Sequence, residues 1–381
     1  MKIFIVGGGF AGINAAKVLS KKLSNEHEIY LIDKKDYTTM LPNLPEVASG
    51  RLESRDVTEK ISNLIPSTVK FIKEEILEIN LDKKIIKTTV NEYSYDHMLL
   101  AAGSTTNLFG FDQNLDKVNV LDSLEAAEDI KAKFSKYLEE RDKGTLVVSG
   151  AGFTGMELAC NLYDLSKRKN KNLEVIFVER ANRILPMLSE KLCAHVIEKL
   201  NSLNFKIYTD NQITIFDGNN ITLKNDEIIK DTFFCWCSGV KSSVKPVGKY
   251  LSLPDGRIIV DEFLSIPEYP EVYAVGDAAA MKDKNNNFLR RAVTFAQMSG
   301  KHGGKNIAAV INKEERKSFK PIDLGWIIPI YISSIGAVFG KEMKGRKGIF
   351  MHYILCGIKN YNFRNFWTAL KAAFKYPFAK P

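Results

Sequence analysis

The chain of 381 residues is poor in cysteine, and none of it comes early. Cys160, Cys193, Cys235, Cys237 and Cys356 are an odd number at irregular spacing, without a C-x-x-C unit. That pattern excludes a disulfide scaffold and a zinc module, and no metal site is expected. Glycine, proline and serine are not inflated, and 10% aromatic content is too high for a disordered chain. Long apolar runs are scarce as well. Met1 to Val6 passes directly into Gly7-Gly8-Gly9, too short for the apolar core of a signal peptide, so the chain is expected to start in a reducing interior. The one extended apolar stretch, Leu324 to Gly340, contains Pro329, three glycines and two serines and is read as paired buried strands rather than a membrane span. Acid is the remaining shortfall: 45 Asp+Glu against 54 Lys+Arg leave a net charge of +9. A surplus of that size suits nucleic acid, an anionic membrane or phosphorylated ligands.

What is present is a duplicated phosphate-binding pattern. The apolar run Lys2–Val6 reads as a central parallel strand and leads into Gly7-x-Gly9-x-x-Gly12, followed by helical spacing from Ile13 to Leu23. The first glycine makes the strand-to-helix turn, the second leaves room for a pyrophosphate, and the third lets helix pack on strand. The helix N-terminus then receives the phosphates. A second strand, Glu28 to Ile32, ends at Asp33, 21 residues past Gly12, where a carboxylate accepts hydrogen bonds from a ribose diol.

The unit then repeats. Thr145 to Ser149 leads into Gly150-x-Gly152-x-x-Gly155, a helix follows from Met156, and the strand Leu173 to Val178 ends in Glu179, 24 residues past Gly155. Glu179 accepts a 2′-hydroxyl and repels a 2′-phosphate, so NADH is preferred over NADPH, with Arg180 softening the contrast. A third signature, Glu271 to Val275 ending in Gly276-Asp277 before small residues, places an aspartate against the ribityl chain of a flavin. With the N-terminal unit it points to FAD.

These residues resemble the two-dinucleotide-fold flavoprotein oxidoreductases, and within them the type II NADH dehydrogenases, single-subunit NADH:quinone oxidoreductases. The similarity extends to Asp36–Leu52, to Tyr95–Asn107, to Arg183–Pro186 with Glu190-Lys191, and to Trp236–Val240. It covers roughly residues 1–310, matches the tail only loosely, and implies an α/β fold with two Rossmann-like domains. A C-terminal membrane-associating segment is expected from the tail's own composition. The expected divisions are 1–112 with 262–320 for FAD, 113–261 for NADH, and 321–381 for C-terminal strands and a basic amphipathic helix. By the same resemblance FAD would meet Gly7, Gly9, Phe10, Ala11, Gly12, Asp33, Lys34, Pro42, Ala102, Gly103, Gly276, Asp277, Ala296 and Gln297. NADH would meet Gly150, Gly152, Phe153, Thr154, Gly155, Glu179 and Gly239.

Three residues are candidates for chemistry. Glu157 occupies the family's glutamate near nicotinamide and flavin, although a carboxylate there also suits the helix dipole. In the family's Ala-Gln-x-x-x-Gln helix beside the quinone, this sequence has Ala296-Gln297-Met298-Ser299-Gly300-Lys301. Lys301 thus replaces the second glutamine, where it either donates to a quinone carbonyl or pairs with an acid and alters the pocket. Gly300 is expected to weaken this helix. Disulfide reductases need a cysteine pair after the first acid, which Asp36 to Gly50 lacks. Cys160 either approaches the flavin or packs as a small hydrophobe, and His302 is a proton shuttle or a packing residue. The remaining histidines, His352 among them, show no ligand spacing and are expected to do nothing chemical.

The tail carries the charge. From Lys341 to Pro381 nine Lys/Arg face one acid, Glu342, a net +8 that leaves residues 1–340 almost neutral. Phe363, Phe366, Trp367, Leu370 and Phe374 recur at helical spacing, the pattern of a helix lying on an anionic membrane surface, or of one packed on the body or in a homodimer. No nucleic-acid fold accompanies it. The leading expectation is a peripheral NADH:quinone oxidoreductase on the cytoplasmic face of the cell membrane, using menaquinone or ubiquinone without proton pumping. Two alternatives stay open: a soluble NADH-dependent flavoprotein passing electrons to a redox protein or oxygen, and a non-catalytic NADH-sensing flavoprotein.

Overall fold

Chain order interleaves two folding units in the computed structural model, which describes residues 1–186, 188–360 and 362–375. The first comprises Met1–Thr39, Thr58–Thr105 and Val240–Leu324; the second comprises Met40–Val57, Thr106–Gly239 and Gly325–Pro381. Relative to the divisions expected from sequence, residues 40–57 and 106–112 fall in the second unit and 240–261 in the first. From Gly325 onward the tail clusters with the second unit rather than standing apart. Among the described residues the helices are α1 Phe10–Lys22, α2 Leu44–Ala48, α3 Leu124–Glu139, α4 Phe153–Arg168, α5 Glu190–Ser202, α6 Val293–Ile311, α7 Arg346–Lys359 and α8 Phe363–Lys375.

In the first unit a six-stranded sheet has Lys2–Val6 near its middle, between Glu28–Asp33 and His97–Leu100 and parallel to both. Ile3, Phe4, Ile5 and Val6 are buried, as an all-apolar central strand requires. Val69–Lys73 and Tyr269–Ala274 extend the parallel pairing on either side, and Ser265–Ile266 closes one edge antiparallel. Helices α1 and α6 pack backbone against backbone, because a Cβ on Gly300 would stand 2.1 Å from the carbonyl oxygen of Ala11. Gly300, expected to weaken α6, is instead what permits this approach.

The second unit repeats the plan with five parallel strands in the order Asn119–Val120, Thr232–Trp236, Lys143–Ser149, Asn172–Val178 and Lys206–Tyr208. Its apolar core joins Val147, Ile176, Val178, Phe234 and Trp236. The stretch read as paired buried strands is Gly325–Ile330 and Ser333–Val338, antiparallel with Ile328 opposite Ile335, and Lys341–Lys344 adds a third strand.

The tail differs in detail from the single amphipathic helix expected. It holds two helices, and α8 turns its alanines inward: Ala372 and Ala373 pack with Ile349 and Tyr353 of α7. The aromatic side points away, leaving Phe363, Trp367 and Phe374 73%, 46% and 59% exposed. Small residues let two helices approach closely, so the large ones remain on the opposite side. Among the described residues no helix is long and apolar enough to cross a membrane. Lys380, counted in the basic tail, lies outside the described residues.

Candidate functional site

The two glycine turns are built alike, and the glycines divide their roles as the spacing predicts. Gly7 has φ +104°, and a Cβ there would lie 2.4 Å from the Ala101 oxygen, so the turn accepts glycine alone. A Cβ on Gly12 would stand 1.9 Å from the Gly7 oxygen, whereas one on Gly9 meets nothing within 4 Å. In the second unit Gly150 (φ +93°) and Gly155 are equally crowded, by Cys237 and Gly150, and Gly152 again opens on empty space. The middle glycine of each turn is therefore not demanded by the protein's own packing. Room left there, above a helix N-terminus, fits a pyrophosphate.

Helix capping leaves the helix starts after the glycine turns open. Ser123 and Ser189 cap α3 and α5 with their side chains, accepting from Ala126 N at 3.2 Å and Leu192 N at 3.4 Å. By contrast α1, α4 and α6 start at Gly9, Gly152 and Ala292 without a side-chain cap, as do α2 at Asn43 and α7 at Gly345. The starts of α1, α4 and α6 are those expected to face a cofactor, and their N–H groups are left for it.

Each acid at a strand end has a task that spacing did not reveal. Asp33 accepts the backbone N–H groups of Gly8 at 2.7 Å and Lys35 at 2.9 Å. Glu179 accepts those of Ala151 and Ala181, both at 2.9 Å. The carboxylate thus holds its own glycine turn in shape while keeping lone pairs for a ribose diol. Lys34 is exposed and reaches Glu75 at 3.4 Å.

Gly276 and Asp277 line a surface hollow with Arg257, Arg291, Phe295 and Ala296. A Cβ on Gly276 would come within 3.2 Å of Ala11 Cβ and 3.5 Å of Ala296 Cβ, so α1, α6 and the Gly-Asp turn converge here. Phe10 is buried at the start of α1. Ser104 donates to Asp277 at 2.8 Å. Burial pushes the Asp277 carboxyl up, against the Ser104 hydrogen bond and the charges of Arg291 and Arg257. Sequence reading missed Arg291. Its Nη1 reaches Asp255 at 3.1 Å, while Nε and Nη2 are buried without a partner. Two orphaned donors in this hollow beside a buried aspartate fit a polar, acceptor-rich group such as a flavin.

Of the other expected contacts, Gly103 has φ +75° with open space at its Cβ, beside Ala102 in the first unit. Pro42 stands in the 3-10 turn Leu41–Asn43 of the second unit. Phe153 packs its ring on Trp326, 5.3 Å between centroids, Thr154 is exposed, and a Cβ on Gly239 would stand 3.0 Å from the Phe109 ring. Gln297 is half-buried, but Lys301 is exposed. Its neighbour is Lys17 of α1, whose ammonium is held below the usual range by burial and by the Lys301 charge. His302 packs on Phe319 and meets the Lys317 carbonyl, a structural placement.

Glu157 sits in a cluster that sequence spacing did not assemble. It and Cys160, Asn161 and Asp164 share one side of α4. Arg51 forks onto Asp164, both contacts at 3.0 Å. His352 of α7, expected to be inert, is buried with its Nε2 3.5 Å from Glu46 Oε1 of α2 and 3.7 Å from Cys356 Sγ. Burial pushes the Glu157 carboxyl up to about 8, opposed by the His352 charge and reinforced by Glu46. Burial works against the His352 imidazolium too, but Cys356 and Glu46 outweigh it and hold its pKa well above the usual value. Cys160 is buried and its thiol is pushed up to about 12 by desolvation, which suits packing rather than reactivity. No group of His, Cys, Asp and Glu suited to a metal occurs among the described residues.

A type II NADH:quinone oxidoreductase of Staphylococcus aureus is 28% identical over 93% of this chain and 94% of its own. Its counterpart in Staphylococcus saprophyticus is 25% identical over the same shares. Among solved structures, NDH2 from Plasmodium falciparum in complex with NADH superposes with a TM-score of 0.85 at 18% identity, covering 100% of this chain and 99% of that one. The sulfide:quinone oxidoreductase from Aquifex aeolicus reaches 0.80 at 17%, over 97% and 92%. The profile of the pyridine nucleotide-disulphide oxidoreductases matches residues 1–303, through both glycine turns and into α6, and the chain belongs to that family.

Proposed function

We propose that the chain is an FAD-dependent NADH:quinone oxidoreductase, with FAD held by the first unit and NADH by the second. The observation that carries the reading is the pair of glycine turns, each with an uncrowded middle glycine and its own carboxylate. Two dinucleotide sites in one chain without a cysteine pair after Asp33 favour an acceptor other than a disulfide, and the Staphylococcus relatives are named for a quinone. FAD supplies the chemistry of taking a hydride from NADH and releasing two electrons to the quinone. The protein's part is to orient and to neutralise. Gly9 and the start of α1 take the pyrophosphate, Asp33 the ribose, and Asp277 with the orphaned donors of Arg291 the polar parts of the flavin. Gly152 and Glu179 do the same for NADH, and Glu179 disfavours a 2′-phosphate. Gln297 donates to or accepts from the quinone, and the exposed Lys301 adds positive charge near that end of α6.

The same reading places the protein on a membrane surface. Phe363, Trp367 and Phe374 are exposed on α8, which also carries Arg364, Lys371 and Lys375. Aromatic rings seat at the headgroup level, and each cation near an anionic leaflet contributes about 1 kcal/mol. The cytoplasmic leaflet, with its anionic lipids, is the matching surface.

The test is steady-state oxidation of NADH by the FAD-loaded protein with menaquinone and ubiquinone analogues. Sustained turnover supports the reading. Full bleaching of the flavin by NADH with no reoxidation by either quinone overturns it.

A further inference from the structure

An aromatic ring is left outside the core of the second unit. In the loop after Thr106, Leu108 and Phe111 turn inward onto the apolar core that holds Trp236, with the Phe111 and Trp236 rings 5.0 Å apart. Phe109, between them in sequence, turns outward and is 59% exposed. Its φ is +50°, a left-handed conformation that strains a bulky side chain. Strain of this kind persists only where the surroundings impose it, and it collects at ligand clamps.

Here the surroundings do impose it. Asn107 N donates to the Gly239 carbonyl at 3.0 Å, Trp236 Nε1 donates to the Asn107 carbonyl at 2.9 Å, and Phe109 N donates to the Asn107 side chain at 3.0 Å. The loop is thereby fastened to the end of the strand Thr232–Trp236, whose Trp236 lies opposite Ser149, the residue before Gly150. Gly239 makes room for the ring, since a Cβ there would stand 3.0 Å from Phe109 Cε2 and Cζ. Arg180 is exposed beside it, its guanidinium carbon 6.0 Å from the ring centroid.

A phenyl ring and a guanidinium both present flat faces, and both stack on heteroaromatic bases. A base between two such faces needs about 7 Å, two contacts of about 3.5 Å each, so a shift of about 1 Å in the exposed Arg180 side chain admits one. Glu179 names the base. It stands one residue before Arg180 and is the carboxylate assigned to the ribose of NADH, whose adenine is bonded to the carbon beside the one bearing the 2′-hydroxyl. A ribose held at Glu179 directs its base to the neighbouring side chains.

We propose that Phe109 and Arg180 form the adenine subsite of the second unit, with the purine stacked between ring and guanidinium. This inference rests on the reading that the second unit binds NADH. The subsite grips the end of the nucleotide remote from the reacting carbon, and the strained, outward Phe109 is held ready for it before the nucleotide arrives.

The experiment titrates the FAD-loaded full chain calorimetrically with ADP-ribose, which carries the adenosine half of NADH and cannot donate a hydride. Flavin bleaching by NADH and by reduced nicotinamide mononucleotide, which lacks the adenosine, is followed on the same samples. Phe109→Leu keeps apolar bulk and loses the flat ring. It is expected to weaken ADP-ribose about tenfold and to raise KM for NADH alike, with the loss in KM and not in kcat. Phe109→Tyr restores the affinity. Arg180→Lys keeps the charge, loses the planar face and weakens ADP-ribose several-fold. Neither loss extends to the mononucleotide, whereas a merely structural defect slows both substrates. Unchanged ADP-ribose affinity in either variant, or an equal loss with the mononucleotide, overturns the inference while the NADH reading stands. Where Phe109→Leu does not fold, Arg180→Lys, at an exposed position, decides by the same two criteria. An unaltered protein that neither binds ADP-ribose nor is bleached by NADH overturns the NADH reading and this inference with it.

Discussion

Asp33 accepts the backbone N–H of Gly8 at 2.7 Å, so the residue that ends one strand shapes the glycine turn after its neighbour. Glu179 and Ala151 stand in the same relation in the second unit. A carboxylate accepting backbone N–H groups contributes about 1.5–3 kcal/mol per bond. Asp33→Ala is therefore expected to lose FAD by more than the ribose contact alone accounts for, at least tenfold in affinity. Flavin-to-protein absorbance after dialysis measures it, and a variant that retains full flavin contradicts this double role.

The glycines make a sharper contrast. Gly7→Ala forces a positive-φ alanine against the Ala101 oxygen and is expected to cost several kcal/mol, enough to abolish folding. Gly9→Ala meets no protein atom, so the chain folds with unchanged thermal stability in its apo form but binds FAD weakly. Circular dichroism melts and flavin titration separate the two outcomes.

Glu179 governs the choice of nicotinamide cofactor. Glu179→Gln removes the charge that repels a 2′-phosphate while keeping an acceptor for Ala151. The ratio of kcat/KM for NADPH to that for NADH is expected to rise about tenfold, or roughly 1.4 kcal/mol. An unchanged ratio would place the ribose elsewhere.

Stability should fall with alkali in a way traceable to Glu157. Its pKa rises from an ordinary 4.5 to about 8 in the folded chain. The folded state thus binds the proton more tightly than the unfolded chain. That contribution is complete below about pH 4.5, declines between 4.5 and 8, and is gone above, an upper bound of roughly 5 kcal/mol. Melting curves from pH 5 to 9 should show a slope that Glu157→Gln flattens. A parallel slope in the variant assigns the dependence to another group.

Much of the double fold was legible because its signals are local. Strand, glycine turn, helix and terminal acid lie within single stretches of about 30 residues, and the structure places Gly7 to Asp33 and Gly150 to Glu179 accordingly. The hairpin at Gly325–Val338 was readable from its turn residues and β-branched composition. What escaped was whatever depends on distant segments meeting. His352 looked inert because its partner, Glu46, is about 300 residues away in sequence and shares no motif with it. Arg291 gains its meaning only from Asp255 and Asp277, and Gly300 only from the backbone of Ala11. The aromatic stripe of α8 was visible in the sequence. Which side of that helix packs inward was decided by Ala369, Ala372 and Ala373, which no hydrophobic pattern singles out.

The seat of Gly300 against Ala11 has a consequence for synthesis. The apolar side of α1 leaves the ribosome nearly 290 residues before its partner α6. At about 5–20 residues per second the wait is on the order of tens of seconds. During that time the 106–239 stretch of the second unit can close its own parallel sheet, while Ala11, Ile13 and Ala15 remain uncovered. The nascent chain therefore carries an adhesive patch on α1 until α6 is made, and holding chaperones or early FAD should matter most to it in that interval.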